Sequence, residues 1–276
     1  MMIKWLPCLL AIVWLMSSAA FAKDSQSVFE RISDTRTIRC AYTIRPPMMV
    51  KDVNTKALSG VGFDLMEEIG KRLHLKIDWA EEVGYATIIE SIKTSRVDMG
   101  CGIYFSNSAR APNIGFTKPI YYEMLHVYKR KDDPRTVASF SDLNDPQYTF
   151  SSIDGGTPIV LQKRMFPKSK QKTLPELSDQ SEVFEDLVTK KADFVIHSDM
   201  TVMGFEKARP GLVEKLINKP IAYYPVVMFL PVEDVHLKSM LDTVLTEIEY
   251  DGTLEEILNR HGIAKMVKRN PLPQDF

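Results

Sequence analysis

The sequence predicts an α/β fold of two lobes, each a mostly parallel β-sheet with flanking helices, joined by a two-stranded hinge. Two observations lead to this prediction. Short β-rich segments alternate with helical segments in both halves of the 276-residue chain, a pattern typical of parallel strands joined by crossover helices. A β-rich segment at 221–230 then precedes two last helices, so we expect the chain to cross between the lobes a second time.

Each element of the first half follows from a local pattern of apolar residues and turn signals. The predicted elements are, in order, the strand Thr37–Tyr42, the helix Asp64–His74, the strand Leu75–Trp79, the helix Thr87–Ser95 and the strand Val97–Tyr104. Asp64 with Glu67, and Thr87 with Glu90, have the spacing of a capping box, in which each side chain satisfies a backbone amide at a helix start.

The second half repeats this order. Its predicted elements are the strand Tyr148–Ile153, the helix Thr157–Phe166, a weak strand Gln171–Leu174, the helix Ser181–Lys191, the strand Asp193–His197, the return strand Ile221–Leu230, and the helices Val235–Glu249 and Thr253–Arg260. The halves are expected to join near Lys129–Pro134, and residues 268–276 have the composition of a tail. We therefore predict a first lobe of residues 23–130 with 226–276, and a second lobe of residues 131–225.

The charge balance argues against one class of partner, and the absence of cysteine and histidine motifs argues against another. Lys and Arg number 35 against 36 Asp and Glu, so the chain lacks the basic excess that nucleic-acid binding requires, and no nucleic-acid partner is expected. The sequence contains no CxxC motif and no Cys/His cluster, so we expect neither a metal nor another cofactor.

Residues 1–22 have the features of a cleavable signal peptide. Lys4 provides a basic start, Trp5–Met16 is an apolar segment, and Ala20-Phe21-Ala22 is a small-residue cleavage site. An uncleaved membrane anchor is the alternative, but the apolar segment is short for a spanning helix. Cys8 lies inside the apolar segment instead of at the cleavage site, so a lipid anchor is not expected. These features predict a periplasmic protein.

Two cysteines, Cys40 and Cys101, remain after signal cleavage, and both lie in predicted buried strands. An oxidising compartment permits a disulfide between them. Two inert buried thiols are the alternative, and the sequence leaves both possibilities open.

Four segments occur in a characteristic order over nearly the whole chain. They are Gly62-Phe63-Asp64-Leu65 with Ile69-Gly70, Val97-Asp98 through Arg110 to Phe116-Thr117-Lys118-Pro119, Gly156-Thr157 with Lys191–Val195, and Asp251-Gly252-Thr253 with Ile257 and Gly262. Together they resemble the extracytoplasmic solute-binding proteins of polar amino-acid ABC transporters, family 3. The resemblance implies the type II periplasmic-binding-protein fold, a small ligand in the cleft, a membrane permease as partner and no catalysis. A monomer is also expected, since closure about a hinge needs no second subunit.

The resemblance also implies the anchor of the ligand. Arg110 matches the family arginine that holds the ligand carboxylate, because a guanidinium presents parallel donors to both carboxylate oxygens. Gly156 and Thr157 open a predicted helix, where unpaired backbone amides favour an anion. Gly102 and Ile103, in the preceding strand, are expected to lie beside these anchors.

Three positions depart from the family pattern. Phe105 and Asn107 stand where many members have threonine, and Ser198 stands where the family has the aspartate that pairs with the ligand ammonium. A buried ammonium without an acidic partner is costly. Either Asp154 or Asp199 replaces the missing aspartate, or the ligand is not an ordinary α-amino acid.

Four further residues are candidates for the wall of the cleft. Tyr42 and Arg45 follow the first strand, and a second arginine there favours an anionic or polyhydroxy ligand unless it points to solvent. Tyr85 packs over the ligand or belongs to the core. His197 contacts the ligand or is a satisfied interior histidine.

The main functional prediction is a non-enzymatic binding protein that captures a small carboxylate-bearing polar ligand, an amino acid or a related compound, for an ABC importer. One alternative is an accessory or sensor protein whose partner is not a permease. The other is a periplasmic enzyme on the same fold that resembles cyclohexadienyl dehydratases, which would need an acid such as His197, Asp154 or Asp199.

Overall fold

A computed structural model describes residues 26–270 of the chain. The predicted signal peptide at 1–22 and the last part of the predicted tail lie outside the described residues. The helices are α1 Val28–Thr35, α2 Val61–Leu73, α3 Thr87–Lys93, α4 Thr157–Met165, α5 Glu182–Val188, α6 Asp199–Ala208, α7 Val235–Tyr250 and α8 Thr253–Arg260.

The strands include every one predicted from the sequence, together with short additional ones and the long strand β7 (Tyr121–Arg130), which was not predicted. They are β1 Thr37–Tyr42, β2 Val50–Lys51, β3 Leu58–Ser59, β4 Lys76–Glu82, β5 Met99–Phe105, β6 Gly115–Phe116, β7 Tyr121–Arg130, β8 Thr149–Ile153, β9 Lys170–Leu174, β10 Phe194–Ser198, β11 Val213–Lys215, β12 Ala222–Leu230 and β13 Val267–Lys268.

Two parallel groups of strands form the two lobes. In the first lobe β1 lies between β4 and β5 and is parallel to both, and in the second lobe β8 lies between β9 and β10 and is parallel to both. The long strands β7 and β12 lie between the groups, in the order β4-β1-β5-β12-β7-β10-β8-β9. Strand β12 pairs with β5 of the first lobe, and β7 pairs with β10 of the second lobe, both in the antiparallel direction. Because β7 and β12 also pair with each other, the two strands connect the lobes.

The register shows how β7 passes from one lobe to the other. Its first residues pair with β12, Tyr121 with Val226 and Leu125 with Ala222, and its later residues pair with β10, up to Tyr128 with Val195. The junction predicted near Lys129–Pro134 follows at the end of this strand. The lobe boundaries at residues 130 and 226 stay a prediction.

Both predicted capping boxes are wrong. Helix α2 begins at Val61 after Gly60, whose φ of 112° is open to glycine, so Asp64 lies one turn inside the helix. Its carboxylate instead accepts from Arg260 at 3.0 Å and contacts His261 at 2.9 Å, which ties α2 to α8. Thr87 binds a residue of the other lobe instead of Glu90, as described below.

The predicted tail at 268–276 also begins differently. Val267 and Lys268 form β13, which pairs with Glu123 and Tyr122 of β7. Helices α2, α7 and α8 pack against the first lobe, where Leu65, Met66 and Ile69 are fully buried. The end of the chain therefore returns to the first lobe and covers the strand that leads out of it.

Cys40 and Cys101 form a disulfide, which decides between the two alternatives left open by the sequence. The cysteines lie on the neighbouring strands β1 and β5, with their Cα atoms 5.3 Å apart. Both side chains are completely buried.

We expect replacement of both cysteines with alanine to lower the free energy of unfolding by about 3 kcal/mol, because the bond removes conformations from the unfolded chain. Urea denaturation followed by circular dichroism measures the change. The wild-type protein under reducing conditions is the control and should lose a similar amount. A loss below about 1 kcal/mol in both cases would contradict a stabilising role for the disulfide.

Candidate ligand-binding cleft

A cavity lies between the two lobes, at the carboxyl ends of β5, β8 and β10. It contains about 500 Å³ of space not occupied by protein, open solvent included. Its lining residues are Arg45, Tyr85, Ile103, Tyr104, Phe105, Arg110, Ser151, Ser152, Ile153, Gly156, Thr157, Pro158, Gln180, Val183, Ile196 and His197. The position agrees with the rule that ligands of such sheets bind beyond the carboxyl ends of strands.

Arg110 is a buried cation in this cavity. Its side chain donates to the carbonyl of Phe105 at 2.9 Å and, across the cleft, to the carbonyl of Gly155 at 2.6 Å. The residue is 7% exposed, and no Asp or Glu among residues 26–270 forms an ion pair with it. Burial lowers the pKa of Arg110 from its ordinary value, but a guanidinium keeps its charge at neutral pH. The cavity therefore holds a positive charge that the protein does not neutralise.

Helix α4 begins at the same point. Gly156 is its N-cap and provides no side-chain cap, so the helix start faces the cavity without a competing side-chain acceptor. Asn107 does not line the cavity. Its Nδ2 donates to Thr157 Oγ1 at 3.0 Å, and its Oδ1 accepts from the amide of Arg110. Asn107 thus joins the two anchor segments instead of facing the ligand space.

Arg45 lines the cavity but is already neutralised. Its guanidinium donates two hydrogen bonds to Glu123 of β7, at 2.9 and 3.1 Å, and both side chains are buried. Burial alone would lower the pKa of Arg45, but the charge and hydrogen bonds of Glu123 raise it above its ordinary value. The argument that Arg45 favours an anionic ligand is therefore removed by its partner.

His197 is a neutral wall residue. Its Nε2 lies 3.0 Å from Gln180 Oε1, and its Nδ1 accepts from the amide of Ser198, which fixes the proton on Nε2. Burial, together with the charge of Arg45, lowers the pKa of His197 to about 3. The imidazole is therefore uncharged at any pH near neutrality.

Neither candidate for a replacement acid lines the cavity. Asp154 is exposed and accepts from the amide of Gly155. Asp199 accepts from Tyr128 and Lys215 and lies 2.9 Å from His126 Nδ1. Burial would raise the pKa of Asp199, but these contacts lower it below its ordinary value.

The remaining predicted residues divide between the wall and its support. Tyr85, Ile103 and Phe105 line the cavity and make one side of it apolar. Tyr42 packs its ring edge-on against Trp79, Gly102 lies tightly under the ring of Tyr104, and Ser198 Oγ lies 3.4 Å from Thr201 Oγ1. Those three residues are not part of the cavity lining.

Sequence reasoning missed part of the wall. Ser151, Ser152 and Ile153 end β8, and Ile196 lies near the end of β10, so the strand-end rule alone would have found them. Gln180 lies just before α5 and Val183 lies in its first turn, and no motif marks either residue.

The family model for bacterial extracellular solute-binding proteins, family 3, matches residues 38–263. The chain belongs to this family. It is thus a solute-binding protein.

Individual relatives are distant but cover most of the chain. The probable amino-acid-binding protein YxeM of Bacillus subtilis is 23% identical over 206 residues, which is 74% of this chain and 76% of YxeM. The cysteine-binding protein of Campylobacter jejuni superposes with a TM-score of 0.75 at 19% identity, covering 89% of this chain and all of that one. The ancestral amino acid-binding protein AncCDT-1, a precursor of cyclohexadienyl dehydratase, superposes with a TM-score of 0.74 at 22% identity, covering 85% and 99%. The predicted type II fold is confirmed.

The lobes of this solute-binding protein are in contact outside the cavity. Glu176, after β9, accepts hydrogen bonds from the amides of Ala86 and Thr87 at 2.9 and 3.2 Å, and from Thr87 Oγ1 at 2.6 Å. Burial would raise the pKa of Glu176, but these hydrogen bonds from the first lobe lower it. A side chain of the second lobe thus caps α3 of the first.

Replacing Glu176 with alanine should weaken solute binding about tenfold, or about 1.4 kcal/mol, because closure loses a charged hydrogen-bond acceptor. Isothermal titration calorimetry measures the affinity, and small-angle X-ray scattering should show a larger radius of gyration without solute. Glu182→Ala is the matched control, since the Glu182 carboxylate accepts a hydrogen bond from the backbone amide of Asp179 inside its own lobe. Equal affinities for the two variants would contradict the role of Glu176 in closure.

Proposed function

We propose that this protein captures a small carboxylate-bearing solute, an amino acid or a related compound, and delivers it to the permease of an ABC importer. Arg110 carries the proposal. It is a buried guanidinium in the cleft of a solute-binding fold, and no carboxylate among residues 26–270 pairs with it. A carboxylate on the solute supplies the missing charge, and the start of α4 faces the same space.

The proposed place of action is the periplasm. The signal peptide and unanchored N-terminus predicted from residues 1–22 support it, as does membership of an extracellular family. Within residues 26–270 no helix is long and apolar enough to cross a membrane. We keep the lobes at 23–130 with 226–276 and at 131–225, and a monomer, as parts of this proposal.

The proposal treats the protein as a binding protein and not as an enzyme. AncCDT-1, which has the same fold, is a precursor of cyclohexadienyl dehydratase, so this fold also supports an enzyme. General acid catalysis needs an acidic group at the leaving hydroxyl. No Asp or Glu lines the cavity within the described residues, and the pKa of His197 is about 3, so both observations favour binding.

A thermal-shift screen tests the proposal. The panel contains the twenty amino acids and small carboxylates with and without amino groups, together with amines and sugars as non-carboxylate controls. A solute at 100 times its dissociation constant stabilises the native state by about 2.7 kcal/mol, which raises the melting temperature measurably. Shifts confined to carboxylates support the proposal. Shifts only with amines or sugars, or with none of the panel, would refute it.

A further inference from the structure

The charges that face the cavity do not balance, and the excess is positive. Arg45 is neutralised by Glu123, His197 is neutral, and Arg110 has no acidic partner among residues 26–270. A solute that balances this cavity carries one negative charge overall. An α-amino acid with an uncharged side chain carries none, because its ammonium cancels its carboxylate.

An ammonium group would find no free acid here. Asp154 is exposed and outside the cavity lining, and three acids behind the wall are occupied by the protein's own cations. Glu123 binds Arg45, Asp199 binds Lys215 at 2.8 Å, and Asp186, behind Ser151, binds Lys172 at 2.6 Å. A buried ammonium that lacks a charged acceptor pays a desolvation penalty that neutral hydroxyls recover only in part.

Two of the neutral polar side chains of the wall are also engaged. Gln180 Oε1 faces the proton of His197 Nε2, and Ser151 Oγ donates to Asp186 at 2.6 Å. The rest of the wall is largely apolar, formed by Tyr85, Ile103, Phe105, Ile153, Val183 and Ile196. Such a wall fits the hydrocarbon body of a solute better than a charged substituent.

We propose that the solute is a monocarboxylate with an apolar body and no ammonium group, held by Arg110. This inference rests on the proposed function and narrows its solute class. It also resolves the question posed by Ser198, which stands where the family has its ammonium-binding aspartate: the acid is missing because the solute has no ammonium to pair with it.

Matched pairs of compounds test this inference, since the members of a pair differ only in the amino group. We choose leucine with 4-methylpentanoate, and phenylalanine with 3-phenylpropanoate, and measure both affinities by isothermal titration calorimetry. The carboxylate of at least one pair should bind at least about tenfold more tightly than its amino acid.

A variant that supplies the missing acid tests the physical cause. Gln180→Glu places a carboxylate of the same shape in the wall, and should shift the preference within each pair toward the amino acid by about tenfold. Gln147→Glu adds the same charge at an exposed position and is the control, for which the preference should not change.

The outcomes separate the inference from the proposed function. An amino acid that binds more tightly than its carboxylate partner, and depends on Arg110, overturns the inference and leaves the proposed function intact. An unchanged preference in Gln180→Glu also overturns the inference. If the protein binds neither member of any pair and no other carboxylate, the proposed function fails, and the inference fails with it.

Discussion

Arg110→Gln should lower solute affinity about a hundredfold, or roughly 3 kcal/mol, because the variant removes the only cavity cation that lacks an acidic partner among residues 26–270. The solute carboxylate would then be buried without a charged donor. Titration calorimetry with the solute found in the thermal-shift screen measures the loss. Arg110→Lys keeps the charge without the paired donors, and should recover part of the affinity.

Arg110 also has a structural role that the experiment must separate from binding. Its hydrogen bonds to the carbonyls of Phe105 and Gly155 join residues of both lobes. The unfolding free energy of Arg110→Gln should therefore be measured beside its affinity. Arg209→Gln, at an exposed pair with Glu185, is the control and should leave affinity unchanged. If Arg110→Gln bound solute like the wild type, Arg110 would be a structural residue and not the anchor.

The hydrogen bond from Arg110 to the carbonyl of Gly155 also couples solute binding to closure of the lobes. The guanidinium extends from the segment after β5 to the segment before α4, so a solute that binds it contacts both lobes at once. Binding energy at Arg110 is then coupled to closure, and the contact of Glu176 with α3 adds to the same closed arrangement. A solute can shift an opening equilibrium only by its different affinity for the two states, which Arg110 provides.

The sequence predicted most strands and helices because their signals are local, but it missed helix α1 and the long strand β7. The strand Thr37–Tyr42 and the helix Thr253–Arg260 have the predicted bounds, and both follow from apolar patterning and nearby turn residues. The capping boxes failed for the opposite reason. Asp64 and Thr87 have the right spacing, but partners distant in sequence, Arg260 and Glu176, bind these side chains instead.

The same limit applies to the cleft. The strand ends and the resemblance placed Arg110, Gly156 and Thr157 together, and the structure brings these residues to one cavity. Nothing in the sequence near Arg45 shows that Glu123 neutralises it, since the two residues are 78 positions apart. Electrostatic balance in a cleft depends on such distant pairs, so the charge of the site could not be predicted from its motifs.

The pair of Arg45 and Glu123 leads to the second prediction with a large effect. Glu123→Gln should lower the free energy of unfolding by about 4 kcal/mol, because it leaves a fully buried guanidinium without its counter-charge. Urea denaturation of the protein without solute measures the loss. Glu185→Gln breaks an arginine–glutamate pair whose side chains are 46% and 35% exposed, and should cost less than about 1 kcal/mol.

A double variant shows whether the loss comes from the unpaired charge. Arg45→Met with Glu123→Met removes both charges at similar volume, and should recover most of the stability lost in Glu123→Gln. If the double variant were as unstable as the single one, packing around β7 and not electrostatics would explain the loss. Arg45 also lines the cavity, so in Glu123→Gln it becomes a second free cation there. That variant should bind dicarboxylates more tightly than the wild type does, which would show that Glu123 limits the site to one anionic group.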